Sequence, residues 1–143
     1  MPKYWIFDFD GTLVDSKKPI KKCYEKVTQS IAPLRLEIAK KILIGPTLQE
    51  TTKLILGPEK SNKYDEFIML FKKEYDDNLL LETRPYLGVS NTLKILTQRG
   101  DKLAIATNKR QEPTLKLINH YGWNNYFHWV GCTNEKKENI RNK

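Results

Sequence analysis

Two carboxylates two residues apart, Asp8 and Asp10, close an apolar run and are followed at once by Gly11 and Thr12. Residues two apart on a strand project to the same side, so Asp8-Phe9-Asp10 directs both acids to one place where a strand ends. Like charges this close repel, and the pair is relieved when one takes a proton or a cation bridges them. Both outcomes are useful. An ionised aspartate attacks phosphorus and splits one hard displacement into two easier ones. A neighbour that holds a proton delivers it to the leaving oxygen and then takes one from the attacking water. Oxygen donors of this kind suit Mg²⁺, which also offsets phosphate charge. Gly11 permits a tight turn and a close approach of backbone to ligand, and Thr12 adds a hydroxyl.

A second group, Thr107-Asn108-Lys109, follows the run Leu103–Ala106. A hydroxyl and backbone amides at a strand end grip phosphate oxygens, and Lys109 contributes positive charge. Alone, Thr-Asn is an ordinary turn; its weight comes from Asp8 and Asp10 on a neighbouring strand.

The elements that must position these groups are legible as apolar runs. Tyr4–Phe9, Leu103–Ala106 and His128–Cys132 are near-continuous rather than alternating, as in parallel strands covered on both faces. Ligands bind off the carboxyl ends of such strands. A helix is expected from Val89 through Leu93 and Leu96 to a stop at Gly100. Another holds Pro113 in its first turn, with Leu117, Ile118 and Tyr121 facing inward and Gly122 ending it. Strand, helix, strand with short connections gives a doubly wound α/β layer with right-handed crossovers.

Residues 16–83 read differently, with no strand and at least three helices. One follows Pro19 and sets Ile20, Cys23 and Val27 on one face. Thr47-Leu48-Gln49-Glu50 is a capping box, and Gly57-Pro58 stops the helix it opens. The longest carries Tyr64, Phe67, Ile68, Phe71, Tyr75 and Leu79 at three-to-four spacing, a core stripe. The expected organisation is an α/β core from residues 1–15 and 84–143, with a helical cap at 16–83.

Composition narrows the classes. With 143 residues, 39% hydrophobic and 29% charged, the chain holds enough apolar material for a core. No apolar run approaches the roughly 18–20 residues of a membrane span. The opening Met1-Pro2-Lys3-Tyr4-Trp5-Ile6-Phe7 meets Asp8 before an export-signal core forms. Two cysteines are too few for a disulfide framework or a cysteine-built zinc site. A cytoplasmic location is therefore expected. Net charge is +8, from 25 Lys+Arg against 17 Asp+Glu, which favours anionic partners. A small phosphorylated metabolite is expected. Nucleic acid is not, because the aromatics fall on helix-core and strand positions rather than among exposed basic residues; nor is a membrane.

Taken together these residues resemble the haloacid dehalogenase-like (HAD) hydrolase superfamily, above all its phosphoglycolate-phosphatase-like members. Asp8-Phe9-Asp10-Gly11-Thr12-Leu13-Val14-Asp15 matches the first family motif, and Ala104-Ile105-Ala106-Thr107-Asn108-Lys109 the second. Arg84-Pro85-Tyr86-Leu87-Gly88-Val89 looks like the return from the family's cap, and Gly45-Pro46-Thr47-Leu48-Gln49-Glu50 like a loop-and-helix start common in that cap type. The resemblance implies a Rossmann-like parallel sheet core with an inserted helical cap. It implies a Mg²⁺-dependent phosphatase that hydrolyses a small phosphate monoester through an aspartyl-phosphate. In that scheme Asp8 is the nucleophile and Asp10 the general acid/base. Asp8 through its carboxylate and Asp10 through its main-chain carbonyl hold Mg²⁺. Gly11, Thr107 and the Asn108 amide bind the substrate. Dehalogenating members lack a carboxylate at the Asp10 position, so Asp10 favours phosphate ester hydrolysis.

The family's third motif supplies a lysine. Of Lys136, Lys137 and Lys143, the approach Ile140-Arg141-Asn142-Lys143 points to Lys143. The fourth supplies aspartates after a glycine, and no aspartate follows Asp101. The core is thus expected to be incomplete at the C-terminus. Tyr4–Phe9 is then left as an unpaired apolar edge that invites a homodimer or aggregation, with weak Mg²⁺ binding and low or no turnover. The alternative reading is a catalytically weak or inactive phosphate-binding or regulatory module.

Overall fold

The computed structural model describes residues 1–133; Lys143, Lys136 and Lys137 lie outside the described residues. The chain separates into two compact units, Met1–Asp15 with the segment from Arg84 onward, and Ser16–Thr83. In chain order the elements are β1 (Tyr4–Phe7), β2 (Val14–Asp15), α1 (Lys17–Ile31), α2 (Leu36–Ala39), α3 (Leu48–Leu56), α4 (Tyr64–Glu74), β3 (Arg84–Pro85), α5 (Val89–Gln98), β4 (Lys102–Arg110), α6 (Gln111–His120) and β5 (Phe127–Thr133).

The first unit is α/β. Its parallel sheet runs in the order β1-β4-β5, with Tyr4 level with Lys102, Phe7 with Ile105, and Ala106 with Gly131. Leu103, Ile105, Val130 and Cys132 bury the centre of the sheet, with Leu93, Leu96, Leu117 and Ile118 buried on α5 and α6. The strands depart from expectation at their ends. β1 stops at Phe7 rather than Phe9, and β4 continues through Thr107-Asn108-Lys109 to Arg110 because β5 goes on pairing with it as far as Thr133. Nor is β1 covered on both faces, since Tyr4 is 78% and Ile6 73% exposed. It pairs with β4 alone among the described residues, and an edge strand meets neighbours on one side only. A small antiparallel pair, β2 with β3, was not expected.

At the foot of the sheet Asp101 anchors the chain's start. Its buried carboxylate accepts hydrogen bonds from the Lys3 N–H (3.1 Å), the Trp5 indole Nε1–H (3.0 Å) and Arg99 Nη2 (3.0 Å). These donors, the Lys3 N–H foremost, hold its carboxyl below the usual aspartate value. A depressed folded-state pKa contributes stability that is complete above the unfolded value, about 3.9, and is lost as pH falls through the folded one. Asp101→Asn is therefore expected to melt below wild type at about pH 7, with the gap narrowing as pH falls below about 4. Parallel melts on either side of that pH check this.

The second unit is helical. Ile20, Cys23, Tyr24 and Val27 of α1 are buried, as are Phe67 and Phe71 of α4. The Tyr24 and Phe71 rings lie 4.4 Å apart, and Phe71 and Tyr75 5.7 Å apart. The stripe expected as one helix to Leu79 is α-helical to Glu74, then a π-helical turn over Tyr75–Leu79, a winding seen mostly as single turns. The capping box at α3 is formed in both directions: the Glu50 N–H donates to Thr47 Oγ1 and the Thr47 N–H to Glu50 Oε2, each at 3.1 Å. No helix among the described residues is long and apolar enough to cross a membrane.

Candidate active site

Phe9 organises the end of β1. Its side chain is fully buried, and its carbonyl accepts the N–H groups of Thr12, Leu13 and Val14 at 3.2, 2.9 and 3.3 Å. The chain therefore folds back on itself directly after the strand, and Gly11 takes φ +81° within that turn. A Cβ at Gly11 would meet nothing within 4 Å, so the glycine serves a left-handed backbone rather than a tight contact. With Phe9 directed inward, the residues on either side of it go the other way: Asp8 is exposed and Asp10 half-buried.

Sheet register carries Asp8 to the second group. Phe7 is level with Ile105, which puts Asp8, directly after β1, close to the segment that follows Ile105. Asp8, Ala106, Thr107, Asn108, Trp129, Gly131 and Thr133 line one pocket of about 310 Å³ in the α/β unit. Asp8 Oδ1 accepts the Phe9 N–H at 2.7 Å, which fixes the carboxylate and leaves Oδ2 outside that bond. Thr107 Oγ1 accepts the Lys109 N–H at 3.1 Å, so the hydroxyl keeps its own proton to donate.

Asp10 and Gly11 are not among the pocket's lining residues. The Asp10 carboxylate is held by Lys109, whose Nζ lies 3.2 Å from both Oδ1 and Oδ2. The Lys109 and Asp10 side chains are 6% and 12% exposed. Thus Asp8, Thr107 and Asn108 share the pocket, and Asp10 joins the same strand end through Lys109.

Trp129, Gly131 and Thr133 went unnoticed in the sequence, although a signal was present. They alternate on the strand predicted next to the one ending in Thr107, and period-two spacing puts them on one face. Trp129 lies back over Gly131, so a Cβ there would fall 2.1 Å from the indole Cη2. Gly131→Ala is expected to push the ring out of place at a cost of about 1–3 kcal/mol. Combining it with Trp129→Leu should remove most of that penalty, which denaturant melts of the single and double variants will measure.

Mg²⁺ is tested against the donors present. Among the described residues no group of three or more His, Cys, Asp or Glu is placed to hold a metal. The Asp10 carboxylate is taken by an ammonium group, which leaves the Asp8 carboxylate and main-chain carbonyls. These are hard oxygen donors, and Mg²⁺ is commonly bound through one or two carboxylates plus waters and substrate phosphate. The set fits a weakly held Mg²⁺.

A family model described as haloacid dehalogenase-like hydrolase matches residues 5–139. The chain is 31% identical over 123 residues to a phosphoglycolate phosphatase of Aquifex aeolicus, a match covering 85% of this chain and 56% of that protein. It is 29% identical over 127 residues to the pyrophosphatase PpaX of Listeria welshimeri, covering 87% and 57%. Among solved structures, one described as "a predicted phosphatase" from Clostridium acetobutylicum superposes with TM-score 0.75 at 24% identity, covering 96% of this chain and 64% of that one. A haloacid dehalogenase-like family hydrolase from Streptococcus pneumoniae gives TM-score 0.75 at 17% identity, covering 94% and 62%. These two likenesses establish the fold. The chain spans little more than half the length of the curated relatives it matches.

Proposed function

The chain belongs to the haloacid dehalogenase-like hydrolase family, and on that premise we propose that it takes the phosphoryl group of a small phosphate monoester onto Asp8. The observation that carries this is the pocket in which the Asp8 carboxylate meets Thr107 and Asn108. In the first half-reaction Asp8 Oδ2 bonds to phosphorus, the bond to the leaving oxygen breaks, and that oxygen takes a proton from the protonated form of Asp10, which the second half-reaction regenerates. In the second a water oxygen bonds to phosphorus, the Asp8–phosphorus bond breaks, and Asp10 takes the water's proton. The Thr107 hydroxyl and Asn108 steady the equatorial oxygens. Asp8 and the Asp10 main-chain carbonyl would hold Mg²⁺, which when bound offsets the phosphoryl charge.

The names of the relatives make phosphoglycolate and pyrophosphate the first substrates to try. A phosphate-holding module without turnover is a second reading, favoured by the sparse acidic donor set among the described residues. The test is to expose the 143-residue chain to para-nitrophenyl phosphate with and without Mg²⁺ and look by mass spectrometry for one phosphoryl group on Asp8. A Mg²⁺-dependent adduct supports the proposal, and its rate of loss separates the enzyme from the module. No adduct, or one on another residue, overturns it.

A further inference from the structure

We propose that Lys109 is a positioning residue for this reaction: its side chain holds the proton-transferring Asp10, while its backbone N–H, which any residue there would supply, bonds to the phosphoryl-binding Thr107. The inference rests on the phosphoryl-transfer reading above. Lys109 Nζ reaches both oxygens of Asp10 at 3.2 Å, and the Lys109 backbone N–H reaches Thr107 Oγ1 at 3.1 Å. The ends of the ion pair lie 99 residues apart, so chain connectivity does not impose the contact. Among the described residues it is more enclosed than Lys26–Glu74, Arg35–Glu59, Lys63–Glu66 and Lys116–Glu112, each with at least one side chain half exposed or more, and than Arg99–Asp101, whose arginine is 49% exposed; neither Lys109 nor Asp10 exceeds 12%.

A buried pair is a poor source of net stability, because desolvation offsets much of the Coulomb attraction. What it does supply is orientation. An aspartate side chain turns about two bonds, and an ammonium bonded to both oxygens removes that freedom. Proton transfer depends on such alignment, and general acid–base catalysis is worth roughly 10²–10⁴-fold when the geometry holds. Lys109 touches neither the substrate nor phosphorus in this scheme; its side chain acts through Asp10.

Attack by Asp8 on an aryl phosphate needs little help from Asp10, because the phenolate leaves readily. Release of phosphate from Asp8 needs Asp10 to take a proton from water. An alkyl phosphate needs Asp10 in both halves. Loss of the lysine is therefore expected to separate the steps, which a purely structural role would not do. With the 143-residue chain, Mg²⁺ and para-nitrophenyl phosphate, Lys109→Met should form the Asp8 adduct within about threefold of the wild-type rate. It should lose the adduct at least about tenfold more slowly. With glycerol phosphate, adduct formation itself should fall at least about tenfold. Lys109→Arg, which keeps a charged bidentate donor, should recover most of the loss. If Lys109→Met melts below the assay temperature, Lys109→Gln, which keeps an N–H donor near the same position, is read in its place.

Adduct loss at the wild-type rate, or an equal slowing of every step with both substrates, overturns the role of Lys109 alone. Failure of the wild-type chain to form any adduct overturns the reading of Asp8, and the role of Lys109 with it.

Discussion

Asp8→Asn is expected to cut transfer of phosphate onto the chain by at least about 10³-fold, with folding intact. Asparagine has the shape of aspartate, and its side-chain oxygen still accepts the Phe9 N–H that Asp8 Oδ1 accepts at 2.7 Å. Asp8 is exposed, so no buried partner loses a charge. What disappears is the anionic oxygen that attacks phosphorus, together with the carboxylate that would hold Mg²⁺. A neutral amide replaces neither, which is why the expected loss is far larger than for a residue that only steadies the phosphoryl oxygens. Phosphoryl labelling from para-nitrophenyl phosphate, followed by mass spectrometry beside a thermal melt, measures both halves of the claim. Equal labelling of Asp8→Asn and wild type would remove Asp8 from the chemistry.

The second large effect lies in the core of the α/β unit. Trp123→Ala is expected to destabilise the α/β unit by about 3–5 kcal/mol, a large share of the roughly 5–15 kcal/mol that holds a domain folded. Trp123 is 1% exposed, and its indole Nε1–H donates to Ser90 Oγ at 3.0 Å. Its ring lies 4.9 Å from Tyr121 and 6.5 Å from Phe127. One side chain thus joins the start of α5, the end of α6 and the start of β5, and truncation leaves a cavity at their junction, while the exposed Ser90 hydroxyl turns to water. Chemical denaturation of the variant measures the loss. Trp123→Phe, which keeps an aromatic ring and removes the hydrogen bond, should fall between the two. A cost under about 1 kcal/mol for Trp123→Ala would show that α6 and β5 close around the gap.

The acidic couple and the presence of the three strands were legible because both signals are local. An apolar run that stops at charged residues marks a strand whichever partners it finds, and the Asp-x-Asp-Gly-Thr order needs no distant residue to be recognised. The helical character of residues 16–83 and the Thr47–Glu50 cap were legible for the same reason: i, i+3 and i, i+4 contacts are written into spacing. Strand limits were less legible. β4 extends to Arg110 only because β5 is there to pair with it, and among the described residues the face of β1 that carries Tyr4 and Ile6 is left uncovered.

The sequence by itself therefore determined the chemical types at the site: carboxylates on one strand end, and a hydroxyl, an amide and a lysine on another. Tertiary structure decided their partnerships. Parallel register set Phe7 level with Ile105 and Ala106 level with Gly131, so that Asp8, Ala106, Trp129 and Gly131 line one pocket. It also gave the Asp10 carboxylate to Lys109 across 99 residues of chain. Spacing along a chain fixes which way neighbouring side chains point, but charges this far apart in sequence meet only once strand pairing has aligned the backbones that carry them.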